Sequence, residues 1–166
     1  PRSTLFPYTS LFRSNFPNLI ISRTFSKAYG LAGLRVGFSV SSSSLADYSN
    51  RVSQPFNVNS IALSAAEVAL DDTEHLEKCL KLNKQEKERF YKFFESHQYH
   101  FIKSLANFIS FDCKGSSNKV FNSLLPKGVI TRSMEIYKMP NHLRVTIGLP
   151  EENSVFMESL TSLNES

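Results

Sequence analysis

From Thr73 to Ser96 the sequence keeps one period. Leu76, Leu80, Phe90 and Phe94 recur at helical spacing, while Lys81, Lys84, Glu86, Lys87, Glu88 and Arg89 are charged. Glu77/Lys81 and Glu88/Lys92 stand four apart with the acid first, the order that supports a helix. A run this long is no strand, and its charge keeps it out of a bilayer. Because acids alternate with bases, the charged positions read as a solvated helix face and not as a nucleic-acid patch. The helix therefore links two structured parts, and each half of the chain has to be read by itself.

The first half alternates strands and helices. "NLIISRTF" (Asn18 to Phe25) is a short Ile-rich apolar run bounded by polar residues, the profile of a strand buried on both faces of a parallel sheet. "LRVGFSV" (Leu34 to Val40) reads as a second strand. The serines Ser41 to Ser44 form a turn able to cap a helix from Leu45 to about Val52. "QPFNVNS" breaks the pattern with Pro55 and two asparagines, and the alanine-rich Ser60 to Leu70 is helical.

The second half has another texture. "NFISFD" (Asn107 to Asp112), "GVITRS" (Gly128 to Ser133) and "HLRVTIG" (His142 to Gly148) are strand-like, with helices at about Ser117 to Leu125 and Glu151 to Leu163. That is a small α+β unit. In "HLRVTIG", Leu143, Val145 and Ile147 alternate onto one face, so His142, Arg144 and Thr146 take the other and Arg144 can leave the core to face a cleft.

Charge and cysteines narrow the function classes. Lys and Arg exceed Asp and Glu by 19 to 15 among 166 residues, with no dense basic block, so nucleic acid is not an expected partner. No apolar run reaches the roughly 18 residues of a membrane helix. Cys79 and Cys113 lack CxxC spacing, and His75, His97, His100 and His142 lack metal-ligand spacing, so no metal is expected and a reducing cytoplasm fits. No signal-peptide pattern is present.

One stretch carries chemistry. "ISRTFSKAYGLAGLRVGFSV" sets Lys27 just past a strand's C-terminal end, where open α/β sheets place ligands. Arg35 follows eight residues on, across a glycine-spaced turn that lets both cations meet one ligand. A lysine amine condenses with an aldehyde, a guanidinium grips phosphate, and Thr24 and Ser26 add hydroxyl donors. Pyridoxal phosphate requires that combination. A nucleotide loop does not fit, since here the lysine precedes Gly30, Gly33 and Gly37. Spacing alone leaves Lys27 open to being a surface loop lysine beside a glycine corner.

"SRTFSKAYGLAGLRVGF" resembles the Schiff-base segment of the fold-type I pyridoxal-phosphate aminotransferases, and "NRVSQPFNVNSIALSAA" and "GVITRSMEIYKMPNHLRVTIGLPEEN" resemble, in the same order, the histidinol-phosphate subfamily. The likeness runs from about Phe16 to the C-terminus. It implies an α/β fold in which 15–71 is part of a large cofactor domain with a mostly parallel sheet, 72–96 a linking helix, and 97–166 a small α+β domain. It implies Lys27 as the catalytic Schiff-base lysine and proton shuttle, with Thr24, Ser26 and Arg35 on the cofactor phosphate. Arg144 would clamp the substrate carboxylate and Arg132 the substrate phosphate. Asn57 and Asn59 either line the site or satisfy turn backbone. The implied activity exchanges the amino group of histidinol phosphate with 2-oxoglutarate, in a homodimer.

Two further readings stay open: another class I/II pyridoxal-phosphate enzyme, aromatic aminotransferase or threonine-phosphate decarboxylase, or a non-catalytic binding protein. Family members are about twice as long, and the half without a counterpart here carries the Asp on the pyridine nitrogen and the ring-stacking aromatic, so the chain alone is expected to be inactive. "TLFPYTSLFRS" (Thr4 to Ser14) resembles, but for Ser10, a translated sequencing adapter. Residues 1–14 are expected to be non-native, and the protein proper to begin near Asn15, in mid-domain.

Overall fold

A computed structural model describes residues 15–164, so the expectation for residues 1–14 lies outside the described residues. The chain separates into two compact units that divide within the long helix, after Leu76. Each is described by itself.

In the first unit β1 (Ile21–Thr24) pairs with β2 (Gly37–Val40), and α1 (Ser43–Val52) and α2 (Ser60–Asp71) follow. The pair is antiparallel, with Ile21 opposite Val40 and Thr24 opposite Gly37. Three of the four β1 residues are exposed, so the described residues do not show the expected burial of this strand on both faces among parallel neighbours. A parallel pair needs a crossover, usually a helix, and the segment joining β1 to β2 holds only tight turns. The core is small: Phe25 and Val36 are buried against Ala62 and Ala66 of α2, whose short side chains allow close approach. The serine run supplies the N-cap of α1 at Ser42, but the Ser42 hydroxyl makes no capping bond and donates instead to the Pro17 carbonyl at 3.2 Å. Asn59 caps α2, its side chain accepting from the Ala62 N–H at 2.8 Å.

The helix α3 has the bounds its period predicts, Thr73–Ser96. The second unit adds β3 (Phe101–Ile102), β4 (Phe108–Asp112), α4 (Ser117–Leu124), β5 (Arg132–Ser133), β6 (His142–Thr146) and α5 (Pro150–Asn164). Its sheet is antiparallel in the order β3-β4-β6-β5. Ile109, Phe111, Leu143 and Val145 form one core with Phe90 and Phe94 of α3 and Phe156 and Leu160 of α5. Phe94 alone lies within 6.4 Å, centroid to centroid, of Phe90, Phe111 and Phe156.

The solvated-face reading of α3 fails at Glu86, which is 8% exposed. Its carboxylate accepts from the Asn153 amide at 2.7 Å and from Arg89 at 3.2 Å. Arg89 also donates to the Pro150 carbonyl at 3.0 Å and to the Ser154 hydroxyl at 2.6 Å. Asn153 closes the turn between β6 and α5 by accepting the Gly148 N–H at 2.9 Å and donating to the Gly148 carbonyl at 3.0 Å.

Among the described residues no helix is long and apolar enough to cross a membrane, and no group of three or more His, Cys, Asp or Glu could hold a metal ion. Cys113 is buried and Cys79 half-buried. Burial pushes the Cys113 thiol from 9.0 up to about 12, with the Asp112 charge adding to the rise and a hydrogen bond with the Leu143 backbone opposing it. Iodoacetamide at pH 8 is expected to spare Cys113 in the folded protein and to label it in denaturant, read by peptide mass. The folded thiol keeps its proton to higher pH than the unfolded one. Its share of stability is therefore complete below about pH 9 and is lost as pH rises towards about 12.

Candidate functional site

The turn between β1 and β2 gathers four of the six candidate residues. Strand pairing continues past Thr24, because the Phe25 N–H bonds the Val36 carbonyl at 3.3 Å. Phe25, only 2% exposed, anchors this point with its ring 5.0 Å from that of Tyr29 and 5.6 Å from that of Phe38. The chain leaves the anchor at Ser26 and Lys27 and turns at once, with Gly30 donating to the Lys27 carbonyl at 2.9 Å. It returns when Leu31 donates to the Phe25 carbonyl at 2.9 Å. A single 3-10 turn, Ala32–Leu34, then delivers Arg35 beside the start of β2.

The reversal is built differently from the expected flexible glycine stretch. Gly30 has φ +71°, but Gly33 has ordinary φ and open space around it. Arg35 itself takes the left-handed conformation, φ 52° and ψ 43°, which costs a non-glycine residue steric strain. Its guanidinium donates to the Ala32 carbonyl at 2.7 Å, tying the turn while leaving further N–H groups of the fork for a ligand. Gly37 is the demanding glycine. A Cβ there would sit 2.7 Å from the Arg23 carbonyl oxygen, across the strand pair. Gly37→Ala is therefore expected to lose about 1–3 kcal/mol of stability, while Gly33→Ala is tolerated, both checked by chemical denaturation.

Thr24 and Ser26 interlock, the Thr24 hydroxyl oxygen accepting the Ser26 N–H at 3.0 Å. The hydroxyl hydrogen of Thr24 stays available to an acceptor such as phosphate. Lys27 is exposed. Its side chain leaves the surface at the first position of a tight turn, and among the described residues it makes no side-chain hydrogen bond or ion pair.

Arg132 and Arg144 come together in the second unit. They face each other directly in the β5–β6 pair, and Arg144 also faces Ser110 in the β4–β6 pair. Directly opposed residues share a sheet face with Cβ atoms about 4.5–5.5 Å apart, and like charges so placed repel. Among the described residues neither arginine has an acidic partner. Each rests on a ring instead: Arg144 lies 4.7 Å from the Phe108 centroid and Arg132 6.0 Å from that of Tyr137. The Arg144 Nε is buried and has no hydrogen-bond partner. Two arginines in one register position without a counter-charge have the chemistry to bind an anion. Alternation had placed Arg144 opposite the core, as found, but the shared register with Arg132 and Ser110 is a tertiary fact that no local pattern carries.

Residues 5–160 match the family described as Aminotransferase class I and II. The chain belongs to this family. The matched span starts at residue 5 and so includes part of the 4–14 segment. Histidinol-phosphate aminotransferase 1 of Idiomarina loihiensis is 49% identical over 148 residues, which are 89% of this chain and 40% of that protein. The crystal structure of histidinol-phosphate aminotransferase from Sinorhizobium meliloti in complex with pyridoxal-5'-phosphate superposes with a TM-score of 0.79 at 26% identity, covering 89% of this chain and 42% of that one. L-threonine-O-3-phosphate decarboxylase from Porphyromonas gingivalis shares the fold, with a TM-score of 0.81 at 21% identity, over 94% of this chain and 50% of that one. The fold class is thus the α/β class of these aminotransferases, and the chain spans about two fifths of the length of the curated relatives it matches.

Proposed function

We propose that the chain is the C-terminal part of a pyridoxal-phosphate-dependent histidinol-phosphate aminotransferase, exchanging an amino group between histidinol phosphate and 2-oxoglutarate in histidine biosynthesis. The observation that carries this reading is the opposed pair Arg132 and Arg144, two cations in one register position with no acid between them. Such an enzyme must accept a phosphate monoester and a dicarboxylate in turn. Paired guanidinium groups serve both, because each binds either anion through two parallel N–H donors. Arg144 takes the carboxylate common to glutamate and 2-oxoglutarate, and Arg132 takes the phosphate.

The turn around Lys27 fits the cofactor. It offers one primary amine, the hydroxyls of Thr24 and Ser26, and the unspent N–H groups of Arg35. When bound, pyridoxal phosphate supplies an aldehyde that condenses with amines and a ring that accepts electrons. Lys27 would hold the group through Nζ, and the same Nζ as a free amine would be the base that removes a substrate proton and returns one. Thr24, Ser26 and Arg35 would hold its phosphate and so orient the group towards that amine. On this reading 15–71 belongs to the cofactor domain, 72–96 is a linking helix, 97–166 is the small domain, and the complete protein is a cytoplasmic homodimer.

The test is reduction of the full-length protein with borohydride followed by peptide mass mapping, together with an amino-transfer assay. The cofactor mass on the peptide bearing Lys27, and 2-oxoglutarate-dependent consumption of histidinol phosphate, are the expected results. Release of carbon dioxide from a phosphorylated amino acid, without exchange, would overturn the substrate assignment.

A further inference from the structure

We infer that Ser110 is a positioning residue for Arg144, its hydroxyl accepting the Arg144 Nε–H when an anion occupies the site; this rests on the reading of Arg144 as the anion-binding guanidinium. On β4, Ile109 and Phe111 point into the core, so Ser110 lies on the opposite face, directly across from Arg144. Ser110 is 7% exposed, and its hydroxyl is buried without a hydrogen-bond partner. Nε of Arg144 is a buried donor in the same condition. Buried polar groups are ordinarily satisfied, and two that are not, a donor and an acceptor, stand opposite each other on neighbouring strands.

What keeps them apart is visible. The Arg144 guanidinium lies 4.7 Å from the ring centroid of Phe108, two residues along β4 on the same face as Ser110. β4 therefore offers the side chain two stations, the aromatic ring and the hydroxyl. On the ring, charge is balanced only by the π face. At the hydroxyl, one bond satisfies both orphans, fixes the guanidinium plane through Nε, and leaves the two terminal nitrogens to grip an anion side by side. An anion that needs both terminal nitrogens favours the second station, and Ser110 supplies the orientation without touching the ligand.

The experiment measures the dissociation constant for succinate, a dicarboxylate, and the steady-state constants in the full-length protein with cofactor bound. Ser110→Ala is expected to weaken succinate about 10–100-fold, the worth of one hydrogen bond to a charged group. KM for 2-oxoglutarate should rise with kcat and the visible cofactor band unchanged, and Ser110→Thr should restore the affinity. A purely structural hydroxyl predicts something else: Ser110→Ala, which removes an orphaned group, would leave Tm equal or higher and succinate affinity unaltered, and that result overturns the inference. Arg144→Lys separates the two levels. If it weakens succinate while Ser110→Ala does not, only the role of Ser110 falls; if Arg144→Lys leaves succinate affinity intact, the anion site itself is wrong and both fall.

Discussion

Lys27→Ala in the full-length protein should abolish the visible absorbance of the bound cofactor and lower turnover by at least about 10²–10⁴-fold, the usual contribution of a positioned proton-transfer group. The loss should come without loss of fold. Lys27 is exposed, makes no side-chain hydrogen bond or ion pair among the described residues, and starts a turn closed by its backbone carbonyl, which alanine keeps. Substitutions at such positions shift stability by about 0.5 kcal/mol or less, so Tm should stay within a few degrees of wild type. Lys27→Arg makes the chemistry explicit, because it retains charge and length but offers no amine that condenses with an aldehyde. It should be as inactive as the alanine variant. Methylamine, which supplies the missing base, should return part of the activity to Lys27→Ala and none to Lys27→Arg, whose side chain still fills the space. Persistence of the cofactor band in Lys27→Ala would show that another amine holds the aldehyde.

Why Lys27 was legible, while much around it was not, follows from the range of the forces involved. The bounds of α3 and the inward alternation of Leu143 and Val145 are local periodicities, written in side-chain hydrophobicity every three to four or every two residues. The lysine segment is contiguous, so its resemblance survives in a single window. β1 pairs antiparallel instead of in the expected parallel sheet because pairing direction depends on the connection, and the turns of 25–36 make that connection short. β3, two residues long, is too short for any alternation to register. Glu86 looks like its charged neighbours in sequence, and only a partner 67 residues away withdraws it from water. The row Ser110, Arg144, Arg132 is assembled from three strands, so its charge conflict exists only once the sheet forms.

Asn153→Ala is expected to destabilise the second unit by about 3 kcal/mol, since breaking a buried charged network strands its remaining members. For a unit of this size that corresponds to a fall in Tm of roughly 12–24 °C. Asn153 is 2% exposed, and three bonds end on its amide: from Gly148 N–H, to Gly148 C=O, and to the Glu86 carboxylate. Alanine leaves Glu86 with Arg89 at 3.2 Å and leaves both Gly148 backbone groups unpaired. The charge is the larger part of the cost, and a second substitution isolates it. In Glu86→Gln the carboxylate is already gone, so adding Asn153→Ala should cost less than it does alone, by an amount the double-mutant cycle reads as the coupling between the two residues. A Tm change of only a few degrees in Asn153→Ala would mean that water replaces the amide and that the network is not closed. The "RVTIGLPEEN" block then divides by chemistry. Arg144 is the guanidinium proposed to bind the anion, while Asn153, nine residues later, fastens the turn after β6 to α3 and thereby fixes the strand from which Arg144 projects.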